Sequence, residues 1–384
     1  MKVSIFTTAH PLDDVRVYSK FARSFMNHGH RLSWIGPAIS YFSGNSFRDN
    51  SIDYDVYPQG RGRMSRLAAI PKSAIRLAKH RGAEWVYCPD PDAAAIAVIL
   101  KPLHGSKVIF DVHEEYHTDL LSRWLGKSSG KLASNLLISS IRFVTRRSDI
   151  VTGVSPAVLT VYEGHMQTSV TVLNSAPDWF AALKAESAAG GDDKLVTFFH
   201  GKATGINGTA EILSGLRLLR SDARVLMFPS SKNSEDPPYM ENFYDLTEEY
   251  DASHQLILSD SVPHSEIPAI MDTCQVGMIG YGRELGRASL PNRLFEYMSR
   301  GLAIMAPTYS PLIREIIEKY DIGICCDFED PQSIANGIEW FQDNPDLVSA
   351  MGKRSREAFL RDFSWDAEFS KLLDQMGQGI RNRD

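Results

Sequence analysis

Cysteine is scarce: four in 384 residues, at Cys88, Cys274, Cys325 and Cys326. None falls in a C-x-x-C spacing, and a vicinal pair is a poor disulfide candidate, so a reducing, cytoplasmic compartment is expected. No uncharged apolar run reaches the roughly 18 residues a spanning helix needs, which excludes a transmembrane segment. The opening "MKVSIFTTAHPLDD" reads as a buried strand, not as the apolar core of a signal peptide. Short-period repeats and low-complexity tracts are also missing. What remains is a globular balance, 43% apolar and 23% charged, in a chain long enough for two cores. The net charge of −6 conceals an asymmetry. Residues 1–185 hold 22 Lys and Arg against 15 Asp and Glu, and the remainder holds 19 against 32. Either the first half faces something anionic, or its basic residues solvate helix faces.

Short apolar runs alternate with helical patterns along the whole chain. "KVSIFTTA" reads as a strand, followed by an amphipathic helix with Val17, Phe21 and Phe25 on one face. "RLSWIGP", "AEWVYCPD", "KVIFDVH" and "IVTGVS" repeat the theme. After the small, polar stretch "KAESAAGGDDK" a second series begins with "KLVTFFHGK" and ends with "IGICCDF". This alternation predicts an α/β protein of two doubly wound Rossmann-like domains, residues 1–185 and 186–360. Ligands of such sheets bind beyond the carboxyl ends of the strands, so a central cleft faced by both domains is the expected site. Residues 361–384 read as a terminal amphipathic helix that packs on a domain surface, its start overlapping an aromatic stretch from Phe359 to Phe369.

Four segments carry candidate chemistry. In "ASLPNRLFEYMSRGLAIMAPT" a helix starts near Ser289 and Pro291, where free N–H groups and the positive dipole end attract anions. Arg293 would reinforce a phosphate site there, and Glu296, one turn after Asn292, can accept from two adjacent hydroxyls. The alternative is a capped surface helix with an incidental ion pair. "FFHGKATGINGTAEIL" offers a glycine-containing connection with Gly201 and Lys202, or merely a turn. "VIFDVHEEYHTD" groups Asp111, His113, Glu114 and Glu115 as an acid/base pair or metal site, without a convincing third zinc ligand. "TAHPLDDVRVYSK" crowds His10, Asp13, Asp14 and Arg16 at a strand's carboxyl end, where either aspartate can also cap the helix.

Taken in order, these segments resemble the GT-B nucleotide-sugar glycosyltransferases, specifically the family-four-like group. "LPNRLFEYMSRGLAIMAP" looks like that group's P-N-K/R-x-F-E-Y-M signature, supported by "GVSPAVLTVY", "VPHSEIPAIMDTCQVGMIGY" and "FSWDAEF". The resemblance implies that Glu296 holds the donor's ribose while Gly201, Lys202, Asn292 and Arg293 meet its diphosphate. His113 would face the donor sugar and help orient or stabilise it, the Thr8–Asp14 loop would approach the acceptor, and His113 and Asp14 are the candidate catalytic residues. Glu284, Ser289 and Leu290 would line the donor-sugar loop, and His10, Asp13 and Arg16 the acceptor side. The donor implied is a UDP- or GDP-sugar, with no metal and no other cofactor, and the terminal helix 361–384 is expected to cross back towards the first domain. Two positions depart from the pattern: Ala288 stands where the group has a first glutamate, and Asn207 where it has a lysine. Glu284 is near enough in sequence to stand in for the former.

The basic amphipathic segments Arg61–Arg81 and Arg123–Arg147 suit an anionic membrane surface and a saccharide or lipid-linked acceptor. Core-packing helices with solvated basic faces account for them as well. No nucleic-acid module is present. The expected activity is sugar transfer in bacterial polysaccharide assembly, cytoplasmic or peripheral on the inner membrane face. An epimerase of the same fold and a silent sugar-nucleotide-binding subunit are the alternatives.

Overall fold

The computed structural model describes residues 1–40, 48–60, 63–112, 130–182, 195–201, 207–229, 247, 255–259, 262–286 and 290–381. Two units divide the chain: Met1–Leu173 with Trp365–Asp384, and Asn174–Ser364.

The first unit is a seven-stranded parallel sheet ordered β3-β2-β1-β4-β5-β6-β7. Its strands are β1 Lys2–Phe6, β2 Arg31–Pro37, β3 Ile52–Tyr57, β4 Trp85–Cys88, β5 Lys107–Val112, β6 Ile150–Gly153 and β7 Ser169–Thr171. β4 and β5 are buried at every position, as apolar strands covered by helices on both faces must be. One face carries the helical stretches Val15–Ala22 and Arg23–Asn27, with Val17, Phe21 and Phe25 fully buried. The same core takes in Trp365, Phe369, Leu372 and Met376 of the terminal helix Trp365–Arg381. The indole N–H of Trp365 donates to Ser24 Oγ at 2.7 Å, and Glu368 accepts from the Leu173 N–H at 2.9 Å. On the other face Leu77, Ala93, Val98, Ile141 and Val144 pack helices Arg63–Lys79, Pro91–His104 and Gly130–Arg147 against the strands.

The second unit is a six-stranded parallel sheet ordered β10-β9-β8-β11-β12-β13. Its strands are β8 Val196–Gly201, β9 Arg224–Pro229, β10 Leu256–Leu258, β11 Val276–Met278, β12 Ala303–Pro307 and β13 Gly323–Cys326. Both sheets reverse direction beside their first strand, at β1/β4 and β8/β11, and so place a crevice at those strands' carboxyl ends. Both units are thus Rossmann-like, as the alternation of patterns predicts.

The unit boundary lies between Leu173 and Asn174, earlier than the one expected at residue 185. The chain leaves the first sheet after β7, and the following helix Asp178–Ala182 is gripped by the second unit. Arg300 Nη1 donates to the Phe180 carbonyl at 3.0 Å, and Arg356 Nη2 to that of Ala181 at 2.9 Å. The polar stretch expected to link the domains, residues 184–194, lies outside the described residues. The aromatic run near the C-terminus also divides: Phe363 meets Phe295 and Tyr320 in the second unit, whereas Trp365 and Phe369 belong to the first. Among the described residues no helix is long and apolar enough to cross a membrane.

Candidate active site

In the second unit the crevice forms where β8 and β11 end. β8 finishes at Gly201, whose φ of 149° suits glycine. A Cβ there would lie 2.8 Å from Arg293 Nη1, so the missing side chain makes room for the guanidinium. Arg293 belongs to the first turn of helix Asn292–Arg300 and is only 7% exposed. Its guanidinium lies 4.7 Å from the Tyr281 ring and 5.3 Å from the Phe199 ring, and Nη2 donates to Asn207 Oδ1 at 3.1 Å. Burial opposes the charge, but the phenol oxygens of Tyr281 and Tyr297 and the Glu296 carboxylate outweigh it and raise the arginine's pKa. Asn207 therefore does something a lysine would not: it accepts from Arg293 without repelling it. Pro291 is the residue before the helix and provides no side-chain cap. Of the first-turn N–H groups, that of Leu294 donates to the Pro291 carbonyl at 3.2 Å.

One turn on, Glu296 is buried at 2% exposure, and its Oε1 lies 2.8 Å from His264 Nε2. His264 was not singled out by sequence reasoning, although it stands inside the quoted "VPHSEIP". Its ring packs on Phe180 at 5.1 Å and edge-on to Trp179 at 5.6 Å. Phe180 is held in turn by Arg300, which is paired with Asp272 at 2.6 and 2.8 Å while donating to the Phe180 carbonyl at 3.0 Å. A fixed chain thus runs Asp272, Arg300, Phe180, His264, Glu296, and it orients the carboxylate through one of its two oxygens.

The first unit has its own polar cluster, where β1 and β4 end. Asp90 accepts from Thr7 Oγ1 at 2.5 Å and from the Thr8 N–H at 2.9 Å, with His10 Nε2 at 3.6 Å. His10 Nδ1 lies 3.2 Å from Asp14 Oδ2, while Asp14 Oδ1 caps the following helix by accepting from the Val17 N–H at 2.8 Å. Asp13 accepts from Ser40 Oγ. Asp90 is the second residue missed from the sequence; its signal was a strand, "WVYC", running into "PDPD". Burial alone would lower the His10 pKa, but the hydrogen bond to Asp14 and the charges of Asp90, Asp14 and Asp111 push it up to about 9.

That shift has a testable consequence. A histidine titrating higher in the folded than in the unfolded chain stabilises fully below the unfolded value, here 6.5, and loses that contribution as pH rises through 9. The first unit should therefore lose on the order of 2 kcal/mol over this window, and His10→Gln should abolish that slope. Thermal unfolding of both proteins from pH 6 to 10 checks this; parallel profiles would show that His10 carries no such linkage.

Two sequence expectations are corrected. Arg16 does not face an acceptor: it is 7% exposed and forms a two-pronged pair with Asp111, Nε and Nη2 each at 2.7 Å. Asp111 is not available for a metal or for acid/base work, because it also accepts from Tyr87 and Thr152 at 2.7 and 2.6 Å. Both side chains are interior because Arg16, in the first turn of helix Val15–Ala22, pairs with a fully buried Asp111 near the end of β5. Among the described residues no His, Cys, Asp and Glu side chains are grouped as a metal site. Leu290 is half-buried just ahead of the helix. His113, Glu114, Glu115, Lys202, Ala288 and Ser289 lie outside the described residues, as does the side chain of Glu284.

Residues 192–358 match the family model described as glycosyl transferases group 1. No curated protein matches the chain. A glycosyltransferase from Rickettsia africae superposes with a TM-score of 0.72 at 12% identity, over 99% of this chain and 98% of that one. Anabaena HepE, solved in complex with UDP, gives 0.70 at 11%, over 98% and 100%. Sucrose-phosphate synthase from Thermosynechococcus elongatus gives 0.69 at 14%, over 99% and 98%. At these identities the likeness establishes the fold, which is of the GT-B class. With the group 1 match over the second unit, it supports a glycosyltransferase.

Proposed function

We propose that the protein transfers a sugar from a nucleoside-diphosphate sugar to a hydroxyl of a lipid-linked saccharide, as in bacterial polysaccharide assembly. The observation that carries the donor half is a single helix: Arg293 lies over Gly201 at its start, and Glu296 follows one turn along. A diphosphate fits the guanidinium and helix N–H groups, and the two hydroxyls of a ribose fit the carboxylate. Lys202, Asn292 and the loop bearing Glu284, Ser289 and Leu290 complete the donor side. UDP in the HepE structure favours a UDP-sugar over a GDP-sugar. The chemical demand is to stabilise negative charge on the leaving nucleotide, and cationic and N–H donors meet it without a metal. His113 and the His10–Asp14 pair are assigned to the sugar and acceptor side. Retention of configuration is favoured, with Ala288 in place of the group's first glutamate.

The test is incubation with a panel of UDP- and GDP-sugars, reading nucleotide release. Slow release from one donor supports a transferase, interconversion of sugars would instead mark an epimerase, and binding without turnover a silent subunit. Arg293→Ala should lower kcat/KM for that donor by roughly 100-fold, the worth of one or two charged hydrogen bonds. An unchanged value removes the diphosphate assignment.

A further inference from the structure

The three helices sharing one face of the first sheet have an unusual outer surface. Helices Arg63–Lys79 and Gly130–Arg147 contain no Asp or Glu, and Pro91–His104 contains only Asp92. That aspartate is already paired with Arg66 at 2.5 Å. Away from the core these helices expose apolar side chains: Met64, Leu67 and Ile75 on the first, Ile99 and Leu103 on the second, and Phe143 on the third. These six stand among only eleven large apolar side chains exposed in the described chain, so more than half share one face. Met64 at 78% and Ile99 at 63% are the two most exposed of all. Lys72, Lys79, Arg142 and Arg147 are exposed among them.

Not all the basic residues read from Arg61–Arg81 contribute. Arg66 is committed to Asp92 and Asp90, and Arg76 to Asp55 and the Tyr57 ring. The basic and apolar face is therefore set by packing three helices side by side rather than by one segment. Sequence-distant residues are brought together by the shared core of Leu77, Val98, Ile141 and Val144.

The geometry points to this three-helix face as a docking surface for an anionic lipid bilayer. Apolar side chains projecting from a surface almost free of carboxylates match the two attractions a bilayer offers, its acyl boundary and its anionic headgroups. A nucleic-acid partner would favour a polar basic surface, and a protein partner would leave the absence of acid unexplained. A lipid-linked acceptor, the reading on which the purpose of this surface rests, would present its saccharide at such a bilayer.

The full chain should float with vesicles of phosphatidylcholine containing about one third phosphatidylglycerol, and not with phosphatidylcholine alone. Lys72→Glu with Lys79→Glu should lower partitioning at least 25-fold, taking each lysine as worth about fivefold near an anionic surface. Met64→Ser with Ile99→Ser should also weaken it, at unchanged net charge. Lys319→Glu with Lys353→Glu, exposed positions of the second unit, is the charge-matched control and should float like the parent. Absent flotation, equal flotation with both vesicles, or equal losses in control and test pairs overturns the inference. So does self-association of the vesicle-free parent that the face variants abolish, since the occupant is then a second copy. Nucleotide release measured in solution on the same variants keeps the readings apart: it should persist where flotation is lost, and its failure in the parent bears on the donor assignment alone.

Discussion

Glu296→Ala should lower kcat/KM for the nucleotide-sugar donor by roughly 10²–10³-fold while the second unit stays folded. A carboxylate accepting from two ribose hydroxyls makes two charge-assisted hydrogen bonds, each worth about 1.5–3 kcal/mol. The fold should tolerate the change because the residue's structural partner, His264, is 25% exposed and can turn to water. Glu296→Gln should retain part of the activity, keeping one acceptor oxygen. His264→Ala separates holding from orienting: the ribose ligand remains but loses the contact that aims it, so a drop nearer tenfold is expected. Steady-state kinetics on the three variants, with thermal unfolding as the folding control, decide the matter. An Ala variant within threefold of the parent would falsify the ribose assignment.

Asp111→Ala should be the most damaging single change in the first unit, costing about 3–5 kcal/mol. The carboxylate is fully buried and accepts from Arg16, Tyr87 and Thr152, so its removal strands a buried guanidinium beside two unsatisfied hydroxyls. Replacing both charges by apolar groups, Arg16→Met with Asp111→Leu, should recover much of that loss, because no lone charge is then left inside. Urea unfolding followed by tryptophan fluorescence measures this, since Trp34, Trp85 and Trp365 are all buried in this unit. If Asp111→Ala costs under 1 kcal/mol, the network is incidental.

Much of the fold was legible because strand and helix patterns depend on short-range spacing. Buried parallel strands such as "WVYC" read as continuous apolar runs, and Val17, Phe21 and Phe25 recur every four residues along one helical face. The helix that sets Arg293 and Glu296 one turn apart in the candidate site was legible for the same reason. His264 and Asp90 were not, because each meets its partner only through a crossover between strands. Arg16 misled the reading: an arginine in a strand-end loop looks like a ligand until the depth of its carboxylate partner is known.

By itself, the sequence determined the alternation of elements, the two sheets it implies and the helix that presents Arg293 and Glu296, since all follow from periodicity within a turn or a strand. Tertiary structure alone decided which charges are spent inside the protein. Arg16 closes on Asp111 and Arg66 on Asp92, while Lys72 and Lys79 stay in solvent, although all are cations of one basic half. The physical reason is that a charge's role depends on the burial of its partner, and burial is set by contacts between residues far apart in the chain.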